Sequence, residues 1–587
     1  MKKHISLIIM LIASAGMSAC IGGGSSSSSS GGGGNNVTPD TPTVVTSTIP
    51  QNQAESVDVA ISTIKLSFSR EVDTDTVNGE NIELYETGLN ATLGNLLQPS
   101  KCATYNGIDF DCKLYLGLSY GQSYQLKVTT KVKDMKGNPL SQEYIANFAT
   151  ESINQGRDSL NPVSFVVCND QDPFQCYITG TGVDNQKLAR IPGLTEGKLA
   201  KDGVVLSMGK NTIVACSNLN SGQFACYISR KGQSWQRIIG TTPGSLADGG
   251  VVISNNIDSF GTEYLMACNS SKPFGCYVAQ IDSSNIGSVA WENSSPIIAP
   301  KNVALAPGGL LNTGRMLRSN QIFACDSEAP FGCYYKSGED TSAFQPILDP
   351  DLYADGHLAK GGIIAGIALC NDLAIESNQC YGFEYNDGKQ AYQIFSRSRN
   401  FIGSRPLFPV ADGGITITTS GFPATGYGCN SISGQFKCSV FGSDWTQPMI
   451  FESSTMNGRV APGGVVAFDL SYTKGFLVCN DAKPFRCNFV YKKRLSDYTY
   501  VPVLGPSDAG SMATGALGLL NSNANADDVG MIVLCDNSSP FKCYQLDYDT
   551  RASEISNLSF KPISGYVQGK IIQGGLSTEY HASKSRY

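Results

Sequence analysis

The sequence predicts an all-β chain: a β-sandwich followed by a disulfide-rich eight-bladed β-propeller that the C-terminal strand closes. Three observations predict it. Short runs of alternating apolar and polar residues recur along the chain, punctuated by turn residues. Of the 19 cysteines, 18 fall into close sequential pairs. A strand carrying Gly-Gly recurs with the cysteine hairpins, and the two series are out of phase by one unit at the ends of the chain.

The N-terminus reads MKKHISLIIMLIASAGMSAC. Lys2 and Lys3 form a positive region, a short apolar stretch follows, and Ser18 and Ala19 lead into Cys20. Residues 1–19 therefore read as a signal peptide, too short in their apolar part to span a bilayer. The segment resembles the lipobox of bacterial lipoproteins, which implies lipidation of Cys20. It departs from that pattern in carrying Met17 where Leu is usual. An ordinary signal peptide followed by an unmodified Cys is the alternative. Residues 20–47 are rich in Gly and Ser, which bury little apolar area and cannot offset chain entropy. They read as a disordered tether with a reach of roughly 25–30 Å.

With Cys20 set aside, the other cysteines pair as Cys102/Cys112, Cys168/Cys176, Cys216/Cys226, Cys268/Cys276, Cys325/Cys333, Cys370/Cys380, Cys429/Cys438, Cys479/Cys487 and Cys535/Cys543. None is left over, which points to an oxidising compartment. Zinc sites favour two to four residues between Cys ligands and a second ligand pair. The wider spacing here and the presence of only three His favour disulfides, and no metal or cofactor is expected. The net charge is −7 and no basic cluster occurs, so nucleic acid is not an expected partner.

Residues 48–151 contain the alternating segments VDVAISTIKLSFS, NIELYE, YQLKVTT and YIANFAT. The opening IPQNQAESVDVAISTIKLSFSREVDTDTVNGENIELYE and the closing YQLKVTTKVKDMKGNPLSQEYIANFAT resemble the bacterial Ig-like domain of the SbsA type. That resemblance implies a β-sandwich that acts as a spacer and performs no chemistry. Val132 to Leu140 match the family's turn before the final strand. Asp134 and Asn138 in it are read as turn-capping residues in preference to a cation site.

The repeats occupy residues 160–578, and residues 579–587 form a polar tail. Each unit has four strands in the order A to D. Strand A carries the Gly-rich motif, as in LADGGVV (246–252) and VAPGGVV (460–466). Strand B ends in the first Cys and strand C begins with the second, as in FLVCNDAKPFRCNFV (476–490). Residues facing each other on such strands lie about 4.5–5.5 Å apart at Cα, within reach of a disulfide. Strand D is aromatic-led, as in YTYVPVL (498–504). Four antiparallel strands per unit of about 52 residues describe a propeller blade. Pro346, Pro448, Pro502 and Pro562 put strand D at the outer edge, because Pro cannot donate to a ladder. The first unit lacks a preceding strand A, and the last Gly-Gly segment, 571–577, has no B, C or D after it. Blade 1 is therefore expected from residues 163–193 plus 571–577. An open solenoid or two small β-domains are the alternatives.

Each B–C turn opens with short polar residues: Asn169, Asp170, Asn269, Asp326, Asn371, Asp372, Asn430, Asn480, Asp481 and Asp536. They form a possible binding rim for glycans, proteins or cations. They also fit residues that start turns by bonding their own backbone. Phe174, Phe274, Phe331, Phe485 and Phe541 are expected to pack between blades. The Gly-Gly pairs read as tight turns before strands.

No catalytic constellation is visible. A nucleophilic triad needs a base, and His357 is the sole His inside the repeats. Asp202, Asp248 and Asp412 lie in the Gly-rich motifs and would matter only if they converged. The expected function is therefore a non-enzymatic binding or adhesion lipoprotein. It would be held to a membrane by its lipid and present a propeller to an unknown protein or glycan. Ile21 after the lipidated Cys fits the outer membrane, with either a periplasmic or a surface-exposed domain. A periplasmic scaffold for envelope assembly is the second reading, and a glycan-processing enzyme the third.

Overall fold

Alternation of buried and exposed residues builds the first domain. In Ile82–Thr87 the side chains of Ile82, Leu84 and Glu86 face inward, and in Ser123–Val128 those of Tyr124, Leu126 and Val128 do so. One sheet has the order Val45–Ile49, Thr63–Phe68, Asp109–Lys113, Ala103–Thr104. The other has Ala54–Val57, Tyr144–Thr150, Ser123–Val128, Ile82–Thr87. Ile64, Leu66, Phe68, Phe110, Leu84 and Leu126 fill the core between them. Asp134 caps its turn: its carboxylate accepts the Lys136 and Asn138 amides at 2.9 and 2.8 Å.

The computed structural model describes residues 41–88, 94–153, 163–180, 186–207, 211–254, 263–281, 285–292, 295–312, 321–337, 343–347, 356–364, 368–371, 380–386, 391–395, 415–418, 425–432, 435–441, 448–450, 458–470, 473–493, 498–521, 529–549 and 555–578. Residues 1–40, with Cys20 and most of the segments read as signal and tether, lie outside them, as do Asp372, Asp412 and residues 579–587. Among the described residues no helix is long and apolar enough to cross a membrane.

After the first domain the described residues form eight sheets, each with a four-stranded antiparallel A–B–C–D order. In the seventh these are Val460–Leu470, Thr473–Asn480, Arg486–Lys493 and Thr499–Leu504. The first sheet takes its strand A from the C-terminus: Ile571–Thr578 pairs antiparallel with Val163–Asn169, Leu576 opposite Val167. A fifth strand that the sequence did not suggest, Ser564–Gly565, runs parallel to Lys187–Arg190 on the far edge of the same sheet. Strand D lies on the outer edge elsewhere, and its prolines pair there: Pro346 with Tyr334, Pro502 with Asn488, Pro562 with Tyr544. Each strand A lies against the strand A of the next sheet, starting from Lys198–Leu206 and Leu246–Ser254. Ile571–Thr578 lies against both Met512–Asn521 and Lys198–Leu206.

The Gly-Gly pairs are bulges inside strand A, which corrects their reading as turns before strands. Leu246 faces Asn269 and the next paired residue, Val251, faces Ala267, so strand A carries extra residues there. Gly249, Gly308, Gly463, Gly515 and Gly574 hold φ between 62° and 70° at the equivalent positions. A bulge and a tight turn both require a residue that tolerates positive φ, so composition alone cannot separate them.

Eight disulfides are formed among the described residues. In the Ig-like segment Cys102 is bonded to Cys112, with Cα atoms 4.4 Å apart. In the repeats the bridges are Cys168–Cys176, Cys216–Cys226, Cys268–Cys276 and Cys325–Cys333. The others are Cys429–Cys438, Cys479–Cys487 and Cys535–Cys543. Each repeat bridge joins residues that face each other across strands B and C. Their Cα atoms lie only 3.9 Å apart at Cys268–Cys276 and 4.1 Å at Cys325–Cys333 and Cys429–Cys438. That is closer than the expected spacing. The backbone places Cys370 opposite Cys380 in the same register.

The bridges are also deeper than hairpin pins need be. Cys176 lies in the apolar core that spans the first and second sheets, Cys226 in the core of the second and third, and Cys543 in that of the eighth and first. Cys438 lies in the core of the sixth and seventh, and Cys333 is buried as well. Loops this short give a modest entropic gain on closure. The Cys535→Ser/Cys543→Ser double variant is expected to lose about 2–3 kcal/mol of unfolding free energy. Denaturant titration of the oxidised variant measures this, and an unchanged midpoint would contradict it.

Candidate binding surface

Five of the B–C turns share one pattern: Cys, Asn or Asp, three variable residues, Pro, Phe, one variable residue, Cys. They begin at Cys168, Cys268, Cys325, Cys479 and Cys535. The bond before each proline is cis. In every case the side-chain oxygen of the Asn or Asp accepts the amide six residues on. The distances are 2.8 Å for Asn169 and Gln175, and 2.8 Å for Asn269 and Gly275. They are 3.0 Å for Asp326 and Gly332, 2.7 Å for Asn480 and Arg486, and 2.9 Å for Asp536 and Lys542. All five Asn and Asp residues are buried. Each closes its loop by satisfying an amide that would otherwise lack a partner. The cysteines that end the turns, Cys176, Cys226, Cys333, Cys438 and Cys543 among them, are bonded and buried, so they hold the turns without facing a ligand.

In three of these turns the second oxygen or nitrogen of the Asn or Asp reaches the D–A connection and matches its polarity. Asn169 Nδ2 donates to the Gln568 carbonyl at 3.1 Å, and Asn269 Nδ2 to the Pro243 carbonyl at 3.0 Å. Where the connection offers an amide instead, the residue is Asp: Gly510 N–H donates to Asp536 Oδ2 at 2.8 Å. The Tyr544 hydroxyl donates to the same oxygen at 3.1 Å. Asp536→Asn would turn an amide group towards Gly510 N–H, a donor that cannot rotate away. That variant is expected to lose about 1–3 kcal/mol, the cost of one buried unsatisfied donor. Asn269→Asp should lose a similar amount by facing the Pro243 carbonyl. Stability equal to wild type in both would refute this pairing rule.

The other predicted rim residues are also engaged with backbone. Asp170 Oδ1 accepts Lys570 N–H at 3.1 Å, and Asp481 Oδ1 accepts Arg459 N–H at 2.9 Å. Asn430 Oδ1 accepts Ser431 N–H at 2.7 Å. Asn371 ends its strand B, facing Leu358, and Asp372 lies outside the described residues. Between sheets, Asn218 Oδ1 accepts Leu246 N–H at 2.8 Å and Ser431 Oγ accepts Val460 N–H at 2.8 Å. The side chains left for a ligand are the exposed ones later in the turns, which sequence reasoning passed over: Gln171, Asp172, Ser271, Lys272, Glu328 and Lys483. Lys272 Nζ meets Glu328 Oε1 of the next turn at 3.2 Å, so consecutive turns are neighbours on one surface.

Phe174, Phe274, Phe485 and Phe541 pack where expected, each against the Tyr that follows the second Cys of the next sheet, and Phe331 is buried. Phe174 meets Tyr227 at a centroid distance of 5.7 Å, and Phe485 meets Tyr544 at 5.4 Å. Phe541 of the eighth sheet meets Tyr177 of the first at 5.9 Å. Burial pushes the Tyr227 hydroxyl up to about 12 and raises Tyr177, Tyr334 and Tyr544 as well. Folded tyrosines thus hold their protons at a pH where unfolded ones, at about 10, release them. Their contribution is complete below pH 10 and is lost as pH rises through the folded values. Stability should fall between pH 10 and 12, with the share of tyrosinate absorbance from these buried rings rising only as the protein unfolds.

Asp202 and Asp248 occupy different positions of the Gly-rich motif. Asp202, with φ 52°, occupies the bulge position that is Gly in the other described repeats and lies against Gly574. Asp248 sits one residue earlier in its own repeat and faces Lys201 at 3.7 Å. Asp412 lies outside the described residues. Among the described residues no three His, Cys, Asp or Glu side chains are grouped to hold a metal.

Comparison with solved structures returns distant likenesses. BP39L lectin from Burkholderia pseudomallei is 13% identical with a TM-score of 0.35, covering 61% of this chain and 98% of that one. Dihydro-heme d1 dehydrogenase NirN in complex with DHE is 11% identical with a TM-score of 0.41, covering 70% of this chain and 76% of that one. The S-layer protein rSbsC(31-844) is 11% identical with a TM-score of 0.15, covering 88% of this chain and 65% of that one. No protein of curated function matches the sequence. The family model of the bacterial Ig-like domain matches residues 39–150, the segment whose two sheets and capped turn are described above. That segment of the chain is a bacterial Ig-like domain.

Proposed function

We propose that the eight sheets are the blades of a closed β-propeller, and that the chain is a non-enzymatic binding lipoprotein held in the outer membrane through Cys20. The sequence of strand A neighbours, which returns through Ile571–Thr578 to Lys198–Leu206, supports the ring. The observation that carries the binding reading is the cysteine-bracketed turn. Its disulfide and its buried Asn or Asp fix the loop from within, and its central residues are left exposed. A surface pre-ordered in this way binds a macromolecule without the entropic cost of ordering loops. The ligand class is a protein or glycan of the cell envelope or of a surface outside it.

Arrays of glycans, matrix proteins and envelope components probed with the purified 43–578 ectodomain test this reading. Saturable binding that falls at least tenfold in the Gln171→Ala/Lys272→Ala/Lys483→Ala variant is expected. Absence of any binding, or binding unchanged in that variant, would sink it. Mass spectrometry of the mature N-terminus tests the anchor, and an unacylated Cys20 would remove it.

A further inference from the structure

The Ig-like domain does more than separate a membrane from a binding surface. Lys187–Arg190, the outermost antiparallel strand of the first sheet, is gripped by it at several points. Arg190 N–H donates to the Leu118 carbonyl at 3.0 Å, and Arg190 Nε to the Gly117 carbonyl at 3.0 Å. Arg190 Nη2 meets Glu86 Oε2 at 2.8 Å, with both side chains fully buried. The Tyr120 hydroxyl donates to the Lys187 carbonyl at 2.7 Å, and Lys187 Nζ lies 2.9 Å from both Asp58 and Glu151. Tyr120 and Ile153 also pack against the core shared by the first two sheets.

The same region holds the segment that brings the chain back to its start. Ser564–Gly565 pairs with Lys187 and Leu188. The next residue, Tyr566, packs against the core of the Ig-like domain. Its carbonyl oxygen lies so near Gly117 that a methyl group there would stand 2.6 Å from it. Gln568 and Lys570 then bond to Asn169 and Asp170, and Ile571–Thr578 enters the first sheet. The returning segment is thus enclosed between the first sheet and the Ig-like domain just before it completes that sheet.

From this enclosure we infer that the Ig-like domain is the clasp of the ring: it holds the returning C-terminal segment against the first sheet and so keeps strand Ile571–Thr578 in place. The inference rests on the closed-ring reading above. In an open chain of sheets the last strand would have no closure to secure. The physical basis is that a terminal strand frays with a low opening free energy unless it is tied down at its entry.

Hydrogen–deuterium exchange of the intact ectodomain tests the clasp. Gly117→Ala displaces the Tyr566 carbonyl, and Tyr566→Ala removes the ring from the Ig-like core. Amides of 571–578 and 163–169 should exchange at least tenfold faster in both variants. They should be unchanged in Tyr144→Phe, which alters the Ig-like domain away from the joint. Should Tyr566→Ala not fold, Gly117→Ala still gives the readout. Protection at 571–578 equal to wild type in the variants would overturn the clasp and leave the ring standing. Rapid exchange at 571–578 in the wild type itself would overturn the ring and the clasp together.

Discussion

Replacing Arg190 with Met is expected to lower the unfolding free energy by about 3–5 kcal/mol, because it leaves the Glu86 carboxylate buried without its counter-charge. Both side chains are fully buried, 2.8 Å apart. Glu86 Oε1 also accepts the Tyr124 hydroxyl at 2.9 Å, and Tyr124 Oη accepts Ser119 N–H at 2.8 Å. The charge therefore has neutral partners that cannot replace the guanidinium. Arg190→Lys keeps the charge but has no planar fork to serve Glu86 and the Gly117 carbonyl together. It should recover only part of the loss. The Glu86→Leu/Arg190→Met double variant removes both charges, and should be about 1–2 kcal/mol less stable than wild type because Gly117 and Tyr124 lose partners. A double-mutant cycle by denaturant titration gives the coupling directly. A coupling energy below about 1 kcal/mol would show that the two charges do not depend on each other.

Gly463→Ala is expected to cost about 2–5 kcal/mol, from two additive causes. Gly463 has φ 70°, where a Cβ is strained by about 1–2 kcal/mol. The added methyl would stand 2.7 Å from Gly515 Cα, a backbone atom of the next sheet that cannot turn aside. Overpacking of this kind costs about 1–3 kcal/mol. The position taken by Asp202 provides the contrast. It already carries a side chain at φ 52°, where the equivalent residue of the other described repeats is Gly. Gly574→Ala, at φ 62°, should be destabilising as well, because its methyl would meet the Asp202 carboxylate and also the Asp202 Cα, a backbone atom, at 2.9 Å. Equal thermal midpoints for Gly463→Ala and wild type would show that neighbouring bulges are not in contact.

The repeat order was legible because each strand type prints its own mark: Gly-Gly on A, Cys at the facing ends of B and C, Pro on D. The missing first strand and the surplus last one were legible by phase alone, and Ile571–Thr578 pairs with Val163–Asn169 accordingly. The partner of each cysteine was legible from spacing, but its depth was not. Cys176 or Cys543 beside a polar turn has the same local sequence whether the bridge sits at the surface or in the core, and only the neighbouring sheet covers it. The direction of the turn residues was not legible either. Asn269 or Asp536 could face water or its own loop with equal local chemistry, and only the neighbouring connection decides. The joint at Arg190 left no periodic trace, since its partners come from a different domain. One signal was available: Glu86 falls in the inward phase of IELYET, where an acid needs a buried cation or donor. The Ser564–Gly565 strand is two residues long and has no pattern to display.

Every described bridge joins cysteines that are consecutive in the chain, 8 to 10 residues apart. With Cys20 set aside, a chain that forms its bridges in order from the N-terminus meets each described partner before any later cysteine. Exchange of a mispaired bridge by thiolate attack is then seldom required. The first sheet behaves in the opposite way. Its strand A lies at the far end of the chain, so it stays incomplete until almost the last residue has arrived. Local covalent order is set within each unit, and the pairing of Ile571–Thr578 with Val163–Asn169 spans nearly the whole run of sheets.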